Sequence, residues 1–404
     1  MMETKKLSKF IKSILLVLSL SGVLLLLSGC WDRVEVNDIA IVTATAIDKK
    51  EDDQIELSLQ IFIPKALSSG GSQGGQGGQG GGAITLVSSQ KGSNIADALS
   101  KLQGEIPRKI FWGQCKVFIF GEEAAREGIQ DHLDFLLRHP QPRERAYMFV
   151  SQGEAKNVIE LQSRLERFTA ETVRAQVDLR VGMKTTLQNL NEMIISEAQA
   201  AALPYVEIST EKGPEKSTQF PHVYGTAVLK KDRMVGKISE KTTRGLLWIR
   251  EEIKEYTVTI KPKGEKEDLS LNPVLVHIKL MPQIQGEEWK MNVKIETEGS
   301  IVQNRTNLDL SNPKALKIAE KAYGDAIKKR IELAIKKAQK DLNADVIGFA
   351  KEFHHKYPKQ WSRAKNRWDQ LFPKVKVNID VDAHIRRLGS INKSEKNERK
   401  VRGE

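Results

Sequence analysis

Hydrophobic and polar positions alternate in ways that place the elements. Ile39 to Ile47 and Ile55 to Ile63 are β-rich runs joined by Asp48-Lys49-Lys50-Glu51-Asp52-Asp53, which predicts a hairpin. In the second run Ile55, Leu57, Leu59, Ile61 and Ile63 alternate with more polar residues, which predicts one buried face. Ala83 to Ser89 reads as a strand. Asn94 to Leu102 reads as a helix capped by Ser93 or Asn94. Lys116 to Phe120 predicts a short buried strand. Glu122 to His139 predicts one amphipathic helix on Ala125, Ile129, Leu133 and Leu136, ended by Pro140 and Pro142. Arg145 to Ser151 is another strand. Hairpins mixed with helices favour an α+β fold over a regular doubly wound one.

Thr169 to Leu203 reads mostly as helix, weakened at Gly182 and stopped by Pro204. Tyr224 to Leu229 and Arg233 to Ile238 predict a hairpin about Lys230-Lys231-Asp232, and Ser239 to Arg250 a short helix. Ile253 to Lys261, Val274 to Ile284 and Trp289 to Val302 then predict an antiparallel meander. Asn312-Pro313 opens the longest helix. Its apolar positions, from Leu316 through Tyr323, Ile327, Ile331 and Ile335 to Leu342, recur every three or four residues. Further helical stretches contain Ile347 to Phe353 and Pro358 to Leu371, and Val375 to Ile385 closes as an alternating strand.

The first thirty residues change what the charge means. The chain has 404 residues and a formal net charge of +12, which alone would suggest nucleic acid, an anionic membrane or an acidic partner. Lys5, Lys6, Lys9 and Lys12 precede Ser13 to Leu27, which carries no charge. That stretch spans roughly 22 Å as a helix, short against a hydrocarbon core of about 30 Å, and suits a signal peptide. Leu27-Ser28-Gly29-Cys30 then resembles the lipobox of bacterial lipoproteins, in which the cysteine receives a diacylglyceryl group and becomes the new N-terminus. Removing the leader, with its four lysines and Glu3, lowers the net charge from +12 to +9. An exported body argues against nucleic acid as partner and for a surface near anionic lipid.

The segmentation is a leader at 1–29, an α+β region at 30–203, a second at 204–388 and a basic disordered tail at 389–404. Residues 70–82, nine of them glycine, form a disordered loop within the first region. No P-loop, Rossmann, HExxH or GxSxG pattern occurs. Cys115 is expected to be a buried structural thiol. His354-His355, the only adjacent histidines, point about 100° apart on a helix and do not chelate as an i,i+4 pair would. No catalytic residue, metal or cofactor is assigned. Trp361 and Trp368 fall on one helix face. They either pack in the core or dock another subunit, and they are the candidate docking residues. The lysine face of the longest helix is either solvated or directed at lipid headgroups or an acidic loop.

Several segments resemble a family taken together. Cys30-Trp31-Asp32-Arg33 followed by IVTATAID resembles the mature start of GerC-type spore-germination lipoproteins. FWGQCKVFIFGEEAAREGIQDHLDFLLRHPQPRERAYMFVSQGEAK resembles the second block of their N-terminal region. GTAVLKKDRMVGKISEKTTRGLLWI resembles the start of the C-terminal region. AQKDLNADVIGFAKEFHHKYPKQW and RWDQLFPKVKVNIDVDAHIRRLGS resemble its end. The resemblance implies three consecutive mixed α/β domains with largely antiparallel sheets packed by helices. It also implies a non-enzymatic C subunit of a spore nutrient germinant receptor, on the outer face of the spore inner membrane. Polytopic A and B subunits would be its partners, and small nutrients would bind those partners. Only Cys30, as the lipidation site, transfers residue by residue. A substrate-binding lipoprotein of a transporter and an anchored cell-wall hydrolase are the competing readings.

Overall fold

The computed structural model describes residues 10, 13–17, 19, 38–63, 84–161, 163, 166–179, 182–212, 217–254 and 256–387. The lipobox with Cys30, the glycine-rich loop and the basic tail lie outside them, as does nearly all of the leader. Of the leader, Ser13–Val17 are helical, and Ile14 to Val17 are exposed. None of the described helices is long and apolar enough to cross a membrane. The described residues from Ile41 onward form one compact unit.

Its first half is a nine-stranded sheet in the order β3-β2-β1-β5-β6-β7-β8-β9, with β4 paired to β1. The strands are β1 (Ile39–Lys49), β2 (Ile55–Phe62), β3 (Thr85–Gly92), β4 (Lys109–Phe111), β5 (Val117–Gly121), β6 (Tyr147–Ser151), β7 (Ala200–Lys212), β8 (Ser217–Lys230) and β9 (Arg233–Ser239). Joins β1-β5, β5-β6 and β6-β7 are parallel, and the flanking hairpins are antiparallel. The sheet is thus more mixed than the antiparallel reading expected. Parallel joins need crossovers, and the helices supply them. These are α1 (Ile95–Glu105), α2 (Glu122–Glu127), α3 (Gln130–Arg138), α4 (Ala155–Glu160), α5 (Thr169–Asp178) and α6 (Leu187–Ile195). Asn94 caps α1, its side chain accepting from the Asp97 amide.

Three expectations need correction here. β2 is buried on both faces along most of its length, because α4 covers the side that carries Ser58 and Gln60. That side stays bonded: the Gln60 amide donates to the Ile159 carbonyl at 2.7 Å, and Ser89 donates to Ser58 at 2.8 Å. Glu122 to His139 is two helices, broken at Gly128, whose φ of +142° suits glycine alone. Thr169 to Leu203 is α5, α6 and the start of β7. Pro204 lies inside that strand, where β6 meets β7 only at Tyr205 and Val206.

The second half follows α7 (Glu240–Ile249). Strands β10 (Val258–Ile260), β11 (Leu269–Gln285), β12 (Glu288–Asn304) and β13 (Lys376–Arg387) form a four-stranded sheet in that order. The meander β10-β11-β12 is antiparallel as expected, whereas β13 returns parallel to β12. That return is possible because α8 (Pro313–Lys336), α9 (Phe349–Lys356), α10 (Pro358–Ala364) and α11 (Trp368–Leu371) cross between them. Asn312 caps α8 with Pro313 in its first turn. Tyr323, Ile327, Ile331 and Ile335 are buried along it. One core joins the halves: Ala202, Val228 and Ile238 of the first sheet belong to the same cluster as Met291, Ile295 and Tyr323. The division expected between residues 203 and 204 falls inside β7.

Candidate functional site

Trp361 and Trp368 lie in the core and not on an exposed face. They are 2% and 4% exposed, and their rings meet edge-on at 5.1 Å. Trp289 lies 4.6 Å from Phe353 and 5.9 Å from Trp368, and Phe372 lies 5.8 Å from Trp368, completing a buried aromatic cluster. The reason is local. Ala364 is also buried, so positions 361, 364 and 368 make one inward stripe along α10 and α11. Asp345 fixes the cluster from behind. Its carboxylate accepts from the amides of Gly348 and Phe349 at 3.0 Å, from Ala350 at 2.7 Å and from the Trp368 indole at 3.2 Å. Burial raises its pKa against the pull of those four donors.

Outside this cluster a polar crevice of about 610 Å³ runs between the halves. His354 stacks on Trp361 with centroids 6.0 Å apart, and its Nδ1 lies 2.8 Å from Glu197 Oε1. That contact holds the Glu197 carboxyl below its ordinary range. Lys230, beside the β8–β9 turn, pairs with Asp369 at 2.8 Å. These bridges join residues more than a hundred positions apart in the chain, and nothing in local spacing signals them.

A second cleft, of about 900 Å³, opens at one end of the first sheet. The β1–β2 turn, the start of α1, helices α2 and α3 and the β8–β9 turn surround it. It mixes charges: Lys49 is held by Asp53 at 2.6 Å and by Glu127 at 2.9 Å, and Asp131, Asp232 and Arg233 complete the rim. His132 stacks on Phe120, and burial lowers its pKa. Next to this end of the sheet, Asp48 is 1% exposed and accepts from the Ala155 amide at 2.6 Å and the Lys156 amide at 2.9 Å.

Cys115 is buried as expected. Its thiol lies 3.5 Å from the Thr45 hydroxyl and is pushed up to about 12 by burial, so it stays protonated and inert. Among the described residues no group of three or more His, Cys, Asp or Glu side chains is placed to hold a metal ion. What the geometry offers is a compact body with charged and polar faces.

Residues 32–208 match the family described as the spore germination protein N-terminal domain, and residues 224–389 match the spore germination B3/GerAC-like C-terminal domain. The two matches meet across the β7–β8 hairpin. Spore germination protein KC of Bacillus subtilis (strain 168) is 28% identical over 402 residues, covering 94% of this chain and 97% of that protein. Spore germination protein GerQC of Bacillus cereus is 22% identical over 365 residues, covering 90% and 96%. The crystal structure of the GerBC protein has the same fold with a TM-score of 0.54 at 17% identity, over 84% of this chain and 96% of that one.

Proposed function

Because the chain belongs to the GerC-type spore-germination family, we propose that it is a non-enzymatic, lipid-tethered subunit of a spore nutrient germinant receptor. The ordered match of both family regions across most of the chain carries this reading. In it, Cys30 bears a diacylglyceryl group and holds the body at the outer face of the spore inner membrane. Polytopic A and B subunits of the same receptor are the partners. The tether raises the local concentration of the body near them, so weak protein contacts suffice. Two acyl chains give stable attachment without a membrane-spanning helix. The pairs that clamp the two halves, His354–Glu197 and Lys230–Asp369, suit a part that transmits position.

Cys30→Ala should lower membrane retention and nutrient-triggered germination together. Both are read on spores, by fractionation with immunoblotting and by loss of optical density after nutrient addition. A normal response from spores whose protein is wholly soluble would sink the tether. The cleft at the end of the first sheet favours a second reading, a substrate-binding lipoprotein of a transporter. Calorimetry with a nutrient panel separates the two, since tight binding by the purified protein alone supports the second.

A further inference from the structure

The segment from Pro358 to Lys374 carries its charge on one side. Trp361, Ala364, Trp368 and Phe372 point inward, while Lys359, Arg363, Lys365, Arg367 and Lys374 are exposed. Lys340, in the turn Lys337–Leu342 that follows α8, lies beside them and donates to the Pro373 carbonyl at 2.6 Å. The acidic groups beside this surface are already engaged. Asp341 pairs with Lys337 at 3.0 Å, Asp369 with Lys230 at 2.8 Å and Glu197 with His354 at 2.8 Å. Among the described residues, none of the five outward cations of the segment pairs with a carboxylate.

We propose that this basic surface lies against an anionic lipid headgroup layer and sets the orientation of the body at the membrane. The inference rests on the reading of the chain as membrane-tethered and adds a second point of contact to it. A tether at one residue fixes distance and leaves the body free to rotate, whereas a charged face restricts that rotation. The chemistry suits lipid. The cations are spread along the outer side of short helices with no acceptor fixing them, and lipid attraction needs only positive charge within a Debye length of the surface. The backbone beneath is held by the aromatic cluster and by the bonds to Asp345, so the face is presented in one orientation.

The test uses the chain without residues 1–30, whose body from residue 41 is one compact unit. It is sedimented with vesicles of phosphatidylcholine alone and of phosphatidylcholine with about one-third phosphatidylglycerol. Binding to the anionic vesicles alone, lost at high salt, is expected. Replacing Lys359, Arg363, Lys365, Arg367 and Lys374 together with Gln should weaken that binding by about tenfold or more. A control replacing the exposed Lys261, Lys263 and Lys266 with Gln should leave it within about twofold. Circular dichroism checks that both variants fold. Equal binding to neutral vesicles, an unaffected five-residue variant or an equally weakened control would each overturn the proposal. So would a lack of vesicle binding, and if the same five substitutions then abolished crosslinks to proteins in spore membranes, the surface would belong to an acidic protein partner. Because this chain lacks Cys30, these outcomes leave the tether to be judged by the Cys30→Ala spores.

Discussion

Asp48 shows burial outweighing two favourable hydrogen bonds. Its carboxylate receives the first amides of α4, an arrangement that favours the charged form. Burial is nevertheless the larger effect and pushes the group up to about 6 from an ordinary 3.8. A folded-state value above the unfolded one means that this contribution is fully present below about pH 4. It is lost as pH rises through about 6. Asp48→Asn cannot titrate, so the gap in unfolding free energy between wild type and variant should change by about 2 kcal/mol between pH 4 and pH 7.5, with the wild type losing ground. Urea unfolding of both proteins at the two pH values checks this. Parallel pH profiles would mean that Asp48 has the same proton affinity folded and unfolded. Asp48 was legible only as part of a polar turn, because the amides it accepts belong to residues 155 and 156. Cys115 was easier to read, since the apolar Val117 to Phe120 follows it closely in the chain itself.

At the scale of elements, close approach decides what the sequence pattern leaves open. Gly245 on α7 faces the backbone of α8, and a Cβ there would stand 2.1 Å from the Arg330 carbonyl oxygen. Backbone cannot swing aside as a side chain can, so Gly245→Ala should force the helices apart and destabilise by about 2–3 kcal/mol. A lower thermal midpoint tests this, and an unchanged one would show that the helices slide without cost. The periodicity of α8 was legible because its stripe runs along most of a 24-residue helix, and Asn312-Pro313 marked its start. The single helix read over 122–139 failed for a different reason. Ala124, Ala125, Ile129, Leu133 and Leu136 keep helical spacing across a break made by one glycine. Trp361 and Trp368 were correctly placed on one face, but spacing alone does not say which way that face points. Direction came from Asp345 and Trp289, one before the segment and one in a distant strand.

At the scale of the whole molecule, the described residues from Ile41 onward form one compact unit. The first sheet runs without interruption through β7, β8 and β9, and residues of β7 to β9 enter the core of the second half. A chain ending at residue 203 would keep only the first four residues of β7. It would leave the outer edge of β6 unpaired and remove the partners of Ala200 to Leu203 in β8. Such a fragment should fail to fold, and the intact chain should unfold in one transition by both far-ultraviolet and near-ultraviolet circular dichroism. The tryptophans at 248, 289, 361 and 368 report the second half and Trp112 the first, while far-ultraviolet signal follows the helices and strands of both. Two separated transitions, or a cooperatively folded 30–203 fragment, would show that the halves are independent. A single transition would show that the two halves unfold as one cooperative unit, as the core they share implies.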